Sequence, residues 1–532
     1  MGKRRSTPPQ ISLPGVVRRL GLGPAVLATA VATTGLTDGQ HLGAHAAAPA
    51  GQWAASGASD GSDTPQRRVT ATSRPNVVLM VVDDATVEDI KYMPNVQSLL
   101  VDHGTTFTRN YSPYPLCCPA RATILTGQYS HNHRVLGNLP PLGGAPAFDP
   151  SHTIATYLDD DYRTAMIGKY LNGFNTLTVP PGWDTFLTPI RATIYNYLDQ
   201  AMNSNGSLQR FDNLYSTTNY NDQALGFITS SQRPFFLDLS WVAPHNGSPL
   251  DTPTDPGGPY VAEPYRDTYD GPPLPDDPSF NEADISDKRP SFQGHGSLSA
   301  DRIAVIEDVL AQRREALRFV DDGVLSIVQA IADKGQLGKT FFIFVSDNGW
   351  LQGQHRIATG KSSAYEPSSH VPLIIRGPGI PAGVEFDGLS GLQDLTPTIL
   401  DMTDEWAGKA STLIDGMSLL PLLEGTRTTD RPQVLEVATN AALTDQRADR
   451  LALRWHGKAR VTSVDWYMRG IVTADGWKYT EYPRTSEVEM YDLNSDPYEE
   501  HNLAGELLHG KQQASLRALL RQYRSCKGLG CR

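Results

Sequence analysis

Long apolar runs without polar interruptions are the feature that most limits how this chain can fold. Residues 76–82, 235–242 and 340–345 are almost continuous stretches of aliphatic, β-branched and aromatic side chains. Such runs are typical of strands that are buried on both faces, as in parallel sheets covered by helices. Residues 300–332 carry apolar side chains at helical spacing, which predicts one long helix or two helices broken near Gly323. Strands that alternate with helices predict an α/β fold, in which helices flank a large, mainly parallel sheet on both faces.

Polar and charged side chains follow the predicted strands directly. These residues are Asp83, Asp84, Lys169, His245, Asp347 and Asn348. In open α/β sheets, ligands bind beyond the carboxyl ends of the strands. We therefore expect these side chains to meet in one crevice at that edge of the sheet.

The pattern changes after residue 399. The predicted elements are a short helix at 416–423, a strand at 434–438, a hairpin of strands 469–473 and 477–481, an edge strand at 490–493 and a final helix at 507–523. Together they predict a smaller α+β unit with an antiparallel sheet and a helix. The expected organisation is a signal peptide at 1–48, a disordered leader at 49–74, a large α/β domain at 75–424 that carries the crevice, and a C-terminal α+β subdomain at 425–532.

The first 48 residues have the features of an export signal. Basic residues precede a small, largely apolar stretch at 23–36, and Ala44-His45-Ala46 offers a cleavage site of the A-x-A type. The apolar stretch is too short to span a membrane. Residues 18–19 loosely resemble a twin-arginine signal, and the ordinary secretory route fits as well. We therefore expect a secreted, periplasmic or cell-surface protein without a stable membrane anchor.

Charge and cysteine content exclude several classes of function. The 532 residues carry a formal net charge of −12 and no long basic stretch, which argues against a nucleic-acid-binding protein. Any pocket for an anion must then be a local cluster of cationic side chains. The chain has four cysteines, no paired C-x-x-C motifs and no H-E-x-x-H motif, so zinc has little support. In an exported protein Cys526 and Cys531 can form a small disulfide, although two free thiols fit the sequence almost as well.

Two adjacent cysteines, a proline and an arginine stand at the head of a predicted helix. Pro119 suits the first turn of a helix, which places Cys117 and Cys118 at its positive end, where anions are favoured and thiols ionise easily. Arg121 follows Cys117 by one turn and offers a planar fork for a tetrahedral oxyanion. The same pattern also fits an ordinary helix start with two buried cysteines.

A candidate metal site consists of four oxygen-bearing side chains, Asp83, Asp84, Asp347 and Asn348. Hard oxygen ligands without sulfur or imidazole suit Ca²⁺ or Mg²⁺, and Ca²⁺ is favoured because it tolerates irregular coordination by carboxylates and amides. Taken singly, each segment also fits a simpler role, the aspartate pair as a helix cap and the Asp-Asn-Gly sequence as a turn.

The motif C-x-P-x-R at 117–121, followed by Thr126-Gly127, resembles the signature of type I sulfatases in the alkaline-phosphatase superfamily. The resemblance implies that a formylglycine-generating enzyme oxidises Cys117 to formylglycine, whose hydrate is the nucleophile. It also implies that residue 117 and the four oxygen-bearing side chains bind Ca²⁺, so the implied metal ligands are Asp83, Asp84, Cys117, Asp347 and Asn348.

The same resemblance assigns the residues of the anion pocket. The implied catalytic residues are Cys117, Arg121, Lys169, His245 and Lys361. The lysines would neutralise sulfate oxygens, and His245 would bind the ester oxygen and help the alcohol to leave. Taken one by one, these side chains also fit a lysine extending from a strand end and a histidine filling a loop.

One departure from the family pattern concerns the base. Many arylsulfatases have the sequence G-K-W-H, whose histidine acts on the aldehyde hydrate, whereas Leu171 stands at that place here. Asn172 or a residue from another loop is then expected to orient the hydrate. The variant G-K-Y-L-N at 168–172, with C-C-P-x-R and the H-N-H at 131–133, resembles the branch of N-acetylglucosamine-6-sulfatases and extracellular heparan sulfatases. The implied substrate is a sulfated carbohydrate of the glucosamine-6-sulfate type or an aryl sulfate.

Three other functions fit the same residues, of which a redox protein acting through Cys117 and Cys118 has the least support, because adjacent cysteines bridge only with strain. A phosphonate monoester or phosphodiester hydrolase of this superfamily can share the formylglycine and the metal ligands. Another is a non-catalytic protein that binds sulfated glycans, and an unmodified Cys117 would favour it.

The surroundings of the site are less sharply defined by the sequence. His355 fits a rim residue as well as a ligand, and His131 and His133 are candidates for the border of the substrate site. The irregular segment 246–296 is expected to form a rim over the site.

Overall fold

Strands and helices alternate along the computed structural model, which describes residues 74–158, 161–248, 257–406, 412–439 and 464–532. The predicted signal peptide lies outside the described residues, as does the predicted leader except for Arg74. The helices within the described ranges all lack the length or the hydropathy of a transmembrane span.

The described strands form three sheets. They are β1 (Asn76–Val82), β2 (Thr105–Phe107), β3 (Asn110–Tyr111), β4 (Arg163–Gly168), β5 (Thr185–Ile190), β6 (Gln200–Ser204), β7 (Ser207–Phe211), β8 (Phe235–Ser240), β9 (Thr340–Ser346), β10 (Leu373–Arg376), β11 (Val384–Phe386), β12 (Ser390–Gly391), β13 (Gln433–Ala438), β14 (Trp466–Val472), β15 (Trp477–Tyr482) and β16 (Glu487–Asp492). In the largest sheet, ten described strands follow the order β11-β2-β10-β9-β1-β8-β4-β5-β6-β7. Its centre, from β9 to β5, is parallel, whereas β10 and β6 on either side run antiparallel to it.

The described part of the chain also contains ten α-helices, several of which cover the two faces of the large sheet. They are α1 (Pro94–Val96), α2 (Cys117–Thr126), α3 (Ser130–His133), α4 (Ile154–Leu158), α5 (Ser216–Ser230), α6 (Ala300–Asp333), α7 (Glu366–Ser369), α8 (Leu395–Met402), α9 (Leu420–Leu423) and α10 (Gly510–Tyr523). Every second side chain of β1 from Val77 packs in a core with α2, α4 and α8, while the intervening ones from Val78 pack with α5 and α6. All of β1 is buried, and each such aliphatic side chain contributes about 1.5–3 kcal/mol. The predicted α/β fold is confirmed.

Helix α6 is continuous, so of the two predicted alternatives the single helix is correct. Gly323 does not break the helix but allows α6 to pack closely against α5. A Cβ atom at this position would lie 2.4 Å from Asn221 Oδ1 of α5. At the start of α6, the Ser299 hydroxyl accepts a hydrogen bond from the Arg302 backbone N–H, which satisfies one of the otherwise unpaired donors of the first turn.

Several elements escaped prediction because their sequences lack an apolar run. Strands β5, β6 and β7 extend the sheet at one edge, where most of β7 is exposed and therefore polar. Helix α5 is also absent from the prediction. The final helix, α10, begins at Gly510 and not at 507, because Leu507–His509 form a separate 3₁₀ turn with exposed leucines.

The C-terminal part forms the smaller unit expected from the sequence. Strands β13-β14-β15-β16 make an antiparallel sheet in which β14 and β15 are the predicted hairpin and β16 is an edge strand. Leu516 and Leu520 of α10 pack against this sheet. The disulfide between Cys526 and Cys531 follows α10. The division into domains at residues 424 and 425 stays a prediction.

Candidate active site

The carboxyl ends of β1, β8, β9 and β4 lie side by side, because these strands are parallel neighbours in the sheet. Backbone hydrogen bonds continue the ladder just past the strands: the Asp83 N–H donates to Ala243 at 3.2 Å, and the Asp347 N–H donates to Val82 at 3.2 Å. The Lys169 N–H donates to Ser240 at 2.8 Å. The residues that follow four separate strands therefore share one crevice.

Cys117 is the first residue of α2 and projects into this crevice. Its Sγ lies 3.4 Å from Asp83 Oδ1 and 2.8 Å from Lys361 Nζ. Potential ligand atoms of Asp83, Asp84, Cys117 and His245 all lie within 4.8 Å of one another. The structure thus brings the motif cysteine together with the aspartate pair after β1.

Asp347 and Asn348, which follow β9, complete the acidic side of the cluster. The Asn348 side-chain amide donates to Asp84 Oδ1 at 2.6 Å, and the Asp84 backbone N–H donates to Asp347 Oδ1 at 3.3 Å. Asp84 has a left-handed backbone with φ of 73°, a conformation that costs a residue other than glycine about 1 kcal/mol or more. The surrounding hydrogen bonds hold it there.

Cationic side chains surround the carboxylates. Lys169 forms a buried ion pair with Asp83, and Lys361 Nζ lies 2.5 Å from Asp84 Oδ1. Arg121 donates through Nε to Asp347 Oδ2 at 2.7 Å and through a terminal nitrogen to the Lys169 carbonyl at 2.7 Å. All five implied catalytic residues and all five implied metal ligands therefore lie in one cluster.

The charges in the cluster shift one another's pKa values. Burial alone would raise the pKa of Asp83, but Lys169, His245, Arg121 and Lys361 hold it below its usual range. Burial and the charge of Asp83 raise the pKa of Asp347 to about 6. Burial would lower the pKa of Lys169, yet Asp83 raises it, so this lysine is charged at neutral pH.

His245 is fixed by its own loop. Nδ1 lies 2.8 Å from the Asn246 carbonyl oxygen, which can only accept a hydrogen bond, so Nδ1 carries a proton. Nε2 then faces the cluster, 3.7 Å from Asp84 Oδ2. In the neutral imidazole Nε2 accepts a proton, and in the imidazolium it donates one.

The chemistry of the donor set fits a hard divalent cation. Among the described residues, Asp84 Oδ2 and Asn348 Oδ1 are buried atoms without a hydrogen-bond partner. Buried oxygens left unpaired in this way are costly unless a cation or water satisfies them. The Asp83 and Asp347 carboxylates adjoin them, so the oxygen set expected for Ca²⁺ or Mg²⁺ is assembled in one place.

Leu171 and Asn172, which replace the usual histidine segment, lie on different sides of the chain. Leu171 is buried in the apolar core, and its side chain has no group that could transfer a proton. Asn172 donates through Nδ2 to the Tyr195 hydroxyl at 2.7 Å. Asn172 thus contacts a residue of the pocket, while Leu171 supplies packing.

The three other histidines considered in the sequence make structural contacts. His355 is fully buried, with Nδ1 2.7 Å from Glu282 Oε2, and it joins the irregular segment to the loop after β9. His131 Nδ1 lies 3.0 Å from Glu436 and its Nε2 lies 2.9 Å from the Cys526 carbonyl. His133 Nε2 lies 3.1 Å from the Thr123 hydroxyl. Each of these rings connects segments of the fold.

Two residues near the cluster were missed in the sequence. Arg313 of α6 donates to the Asp84 carbonyl at 2.6 Å, and its position between Leu310 and Leu317 on the apolar face was a signal that could have revealed it. Tyr195, in the loop after β5, stacks on His245 with ring centroids 4.2 Å apart. Its loop has no periodicity, so nothing in the sequence marked this tyrosine.

The chain matches a known family model and is similar in sequence to several known proteins. Residues 75–405 match the family model described as Sulfatase. The chain is 33% identical over 368 residues to an extracellular sulfatase SULF-1 homologue of Drosophila melanogaster, covering 66% of this chain and 31% of the relative. It is 29% identical over 505 residues to the N-acetylglucosamine-6-sulfatase of Capra hircus, covering 86% and 85%. The chain thus spans less than half the length of the extracellular sulfatases that it matches.

Solved structures share the fold. One of them, a protein in complex with its substrate D-glucosamine-2-N,6-O-disulfate, superposes with a TM-score of 0.62 and 22% sequence identity. The match covers 84% of this chain and 97% of that protein. At this identity the likeness concerns the arrangement of the backbone.

Proposed function

The chain belongs to the sulfatase family, and on that premise we propose that it hydrolyses sulfate monoesters of carbohydrates, of the glucosamine-6-sulfate type, in the crevice around Cys117. The observation that carries the proposal is the convergence of Cys117 with a carboxylate pair and with Arg121, Lys169 and Lys361. A sugar substrate is supported by the relative named N-acetylglucosamine-6-sulfatase. Aryl sulfates are the second class of substrate.

Residue 117 carries the nucleophile in this proposal. Cys117 Sγ marks the position of the formylglycine oxygens that a formylglycine-generating enzyme would introduce. The hydrate would supply an oxygen nucleophile for the sulfur atom. Asp83, Asp84, Asp347, Asn348 and residue 117 would hold a Ca²⁺ ion, which would supply charge neutralisation. Mg²⁺ is the alternative ion for the same oxygen set.

The cationic side chains bind the sulfate group. Lys169 pairs with Asp83, and Lys361 pairs with Asp84, so two ammonium groups lie beside Cys117. In this position they also neutralise the charge of an incoming anion. Among the described residues, Arg121 Nη2 is buried without a hydrogen-bond partner, 3.8 Å from Asp83 Oδ2, and in this proposal it donates to a sulfate oxygen. This local cluster overcomes the repulsion expected from a net charge of −12.

His245 assists the departure of the alcohol. With Nδ1 committed to the Asn246 carbonyl, Nε2 is the nitrogen that faces the cluster and delivers a proton to the ester oxygen. Sugar alcohols are poor leaving groups, so this proton matters most for carbohydrate substrates. Lys361, at 2.8 Å from Cys117 Sγ, is the group best placed to orient residue 117 in the absence of the usual histidine.

Measurement of released sulfate tests the function. Purified protein, produced together with a formylglycine-generating enzyme, is supplied with glucosamine 6-sulfate, an aryl sulfate, an aryl phosphodiester and a phosphonate monoester. We expect the sulfate esters to be the better substrates. Faster turnover of the phosphorus esters would assign the chain to the hydrolases of that class. No turnover, with an unmodified Cys117 in the mass spectrum, would favour a non-catalytic protein that binds sulfated glycans.

Export is part of the proposal. The relatives named as extracellular sulfatases support a secreted location for this chain. Because the predicted signal lies outside the described residues, N-terminal sequencing of the protein recovered from the medium or the periplasm is the direct test. We expect the mature chain to begin shortly after the Ala44-His45-Ala46 site.

A further inference from the structure

Tyr195 touches two different functional groups of the crevice. Its ring stacks on the His245 imidazole, with centroids 4.2 Å apart and an angle of 16° between the planes. Its hydroxyl oxygen accepts a hydrogen bond from Lys169 Nζ at 3.3 Å and another from Asn172 Nδ2 at 2.7 Å. One buried side chain therefore contacts both the expected proton donor and one of the expected sulfate-binding cations.

The backbone around Tyr195 is tied to the His245 loop. The Ser248 N–H donates to the Tyr195 carbonyl at 2.8 Å, and the Tyr197 hydroxyl donates to the His245 carbonyl at 2.7 Å. The loop itself turns through Arg191 and Ala192, which both have left-handed backbones with φ of 57° and 58°. The two loops thus hold each other in one relative position.

We propose that Tyr195 is a positioning residue. Its ring orients His245 toward the leaving-group oxygen, and its hydroxyl holds the side chains of Lys169 and Asn172 in place. The inference rests on the proposed function and adds a residue to it. Lys169 Nζ is otherwise held by its buried ion pair with Asp83. The Tyr195 hydroxyl is a second, uncharged contact of the same nitrogen. Loss of the ring frees the imidazole, and loss of the hydroxyl alone removes only the polar support of Lys169 and Asn172.

The two losses have different kinetic signatures. A sugar alcohol needs a proton in order to leave, whereas the anion of an acidic phenol such as 4-nitrophenol leaves without one. Misplacement of His245 therefore slows sugar sulfates more than 4-nitrophenyl sulfate. Displacement of Lys169 weakens the binding of the sulfate group, which both substrates share, and raises KM for both alike.

The test compares Tyr195→Leu, Tyr195→Phe and Tyr220→Phe with the wild type on glucosamine 6-sulfate and 4-nitrophenyl sulfate. Tyr220 is the matched control, since it is a buried tyrosine whose hydroxyl donates to Gln200 and not to the cluster. We expect Y195L to lower kcat for the sugar sulfate about tenfold or more beyond its effect on the aryl sulfate. We expect Y195F to raise KM for both substrates and to leave the ratio of their kcat values unchanged, and Y220F to resemble the wild type.

A double-mutant cycle with His245→Ala completes the test. If Tyr195 acts through His245, the ratio of the activities on the two substrates should be the same in H245A and in the double variant H245A/Y195L, because the imidazole is absent from both. An equal loss on both substrates in Y195L, or a full additional loss in the H245A background, overturns the positioning role while the proposed function stands. A wild-type protein that releases no sulfate from either ester refutes the proposed function and this inference with it. Thermal melting of Y195L and Y195F identifies any general loss of folding.

Discussion

The ammonium nitrogen of Lys361 lies 2.8 Å from Cys117 Sγ, although 244 residues separate the two along the chain. The same nitrogen lies 2.5 Å from Asp84 Oδ1, so Lys361 connects the head of α2 with the carboxyl end of β1. The loop that carries it runs from β9 toward α7, and Tyr365 in that loop donates to Glu489 of β16 at 2.8 Å. The C-terminal sheet therefore helps to hold a cation of the candidate active site.

Replacement of Lys361 by methionine should impair catalysis far more than folding. The variant loses the cation beside residue 117, and removal of one preorganised donor of this kind lowers kcat by about 10²–10³. Steady-state kinetics on an aryl sulfate measures the effect. Lys91→Met is the control, because Lys91 is exposed and pairs with Glu88 on the surface. Equal activity of K361M and K91M would remove Lys361 from the site.

The two adjacent cysteines should behave differently. Cys117→Ala should abolish turnover and leave the melting temperature nearly unchanged, whereas Cys118→Ala should stay active because Cys118 faces the apolar core. Burial raises the pKa of the Cys118 thiol to about 12, so it should resist alkylation in the folded protein at neutral pH. Peptide mass spectrometry after treatment with iodoacetamide, with and without denaturant, locates the modified residue. Rapid labelling of Cys118 in the native protein would contradict this assignment.

Removal of the divalent ion should reduce both activity and stability. A cation bound by Asp84 and Asn348 would satisfy buried oxygens that have no hydrogen-bond partner among the described residues, so chelation should lower the melting temperature, and added Ca²⁺ should restore it. Asp84→Asn should abolish this response to Ca²⁺. Differential scanning calorimetry at several Ca²⁺ concentrations provides the measurement. Asp102→Asn, at an exposed acidic residue, is the control that should respond like the wild type.

Lys478→Met should destabilise the whole protein. Lys478 is buried and lies 2.8 Å from the partly buried Glu366 and 2.9 Å from the buried Glu499, so its loss removes the cation that both carboxylates share. Breaking a buried ion pair in this way costs about 3–5 kcal/mol. Urea denaturation gives the free energy of unfolding, and Lys511→Met, at an exposed lysine of α10, should change it little. A K478M protein as stable as K511M would show that this ion network contributes little to folding.

The His131–Glu436 pair should make stability depend on pH. Burial alone would lower the pKa of His131, but the Glu436 carboxylate raises it above its usual value. Because the folded protein binds this proton more tightly than the unfolded chain, the stabilisation is complete below about pH 6.5 and is lost as the pH rises through the folded-state pKa. The free energy of unfolding should therefore fall more steeply above pH 6.5 in the wild type than in His131→Gln. The predicted direction would be wrong if the stability advantage of the wild type over His131→Gln increased with rising pH.

Local sequence patterns determined the central part of the fold and most of the site. The apolar run of β1 spans 76–82 as predicted, because a strand buried on both faces needs apolar side chains at every position. Asp83, Asp84, Asp347 and Asn348 were identifiable because parallel strands bring their carboxyl ends to a common edge. Strand β7 was not, since an exposed edge strand needs no apolar pattern.

Only the tertiary structure decided how distant loops meet at the crevice. Tyr195 and Lys361 lie in segments without helical or strand periodicity, and their neighbours are fixed by long-range hydrogen bonds such as Ser248 to Tyr195 and Tyr365 to Glu489. The sequence named Leu171 as a departure from the family pattern, but its burial in the core is a result of packing. Periodicity records which face of an element is buried, whereas contacts between loops depend on the three-dimensional path of the whole chain.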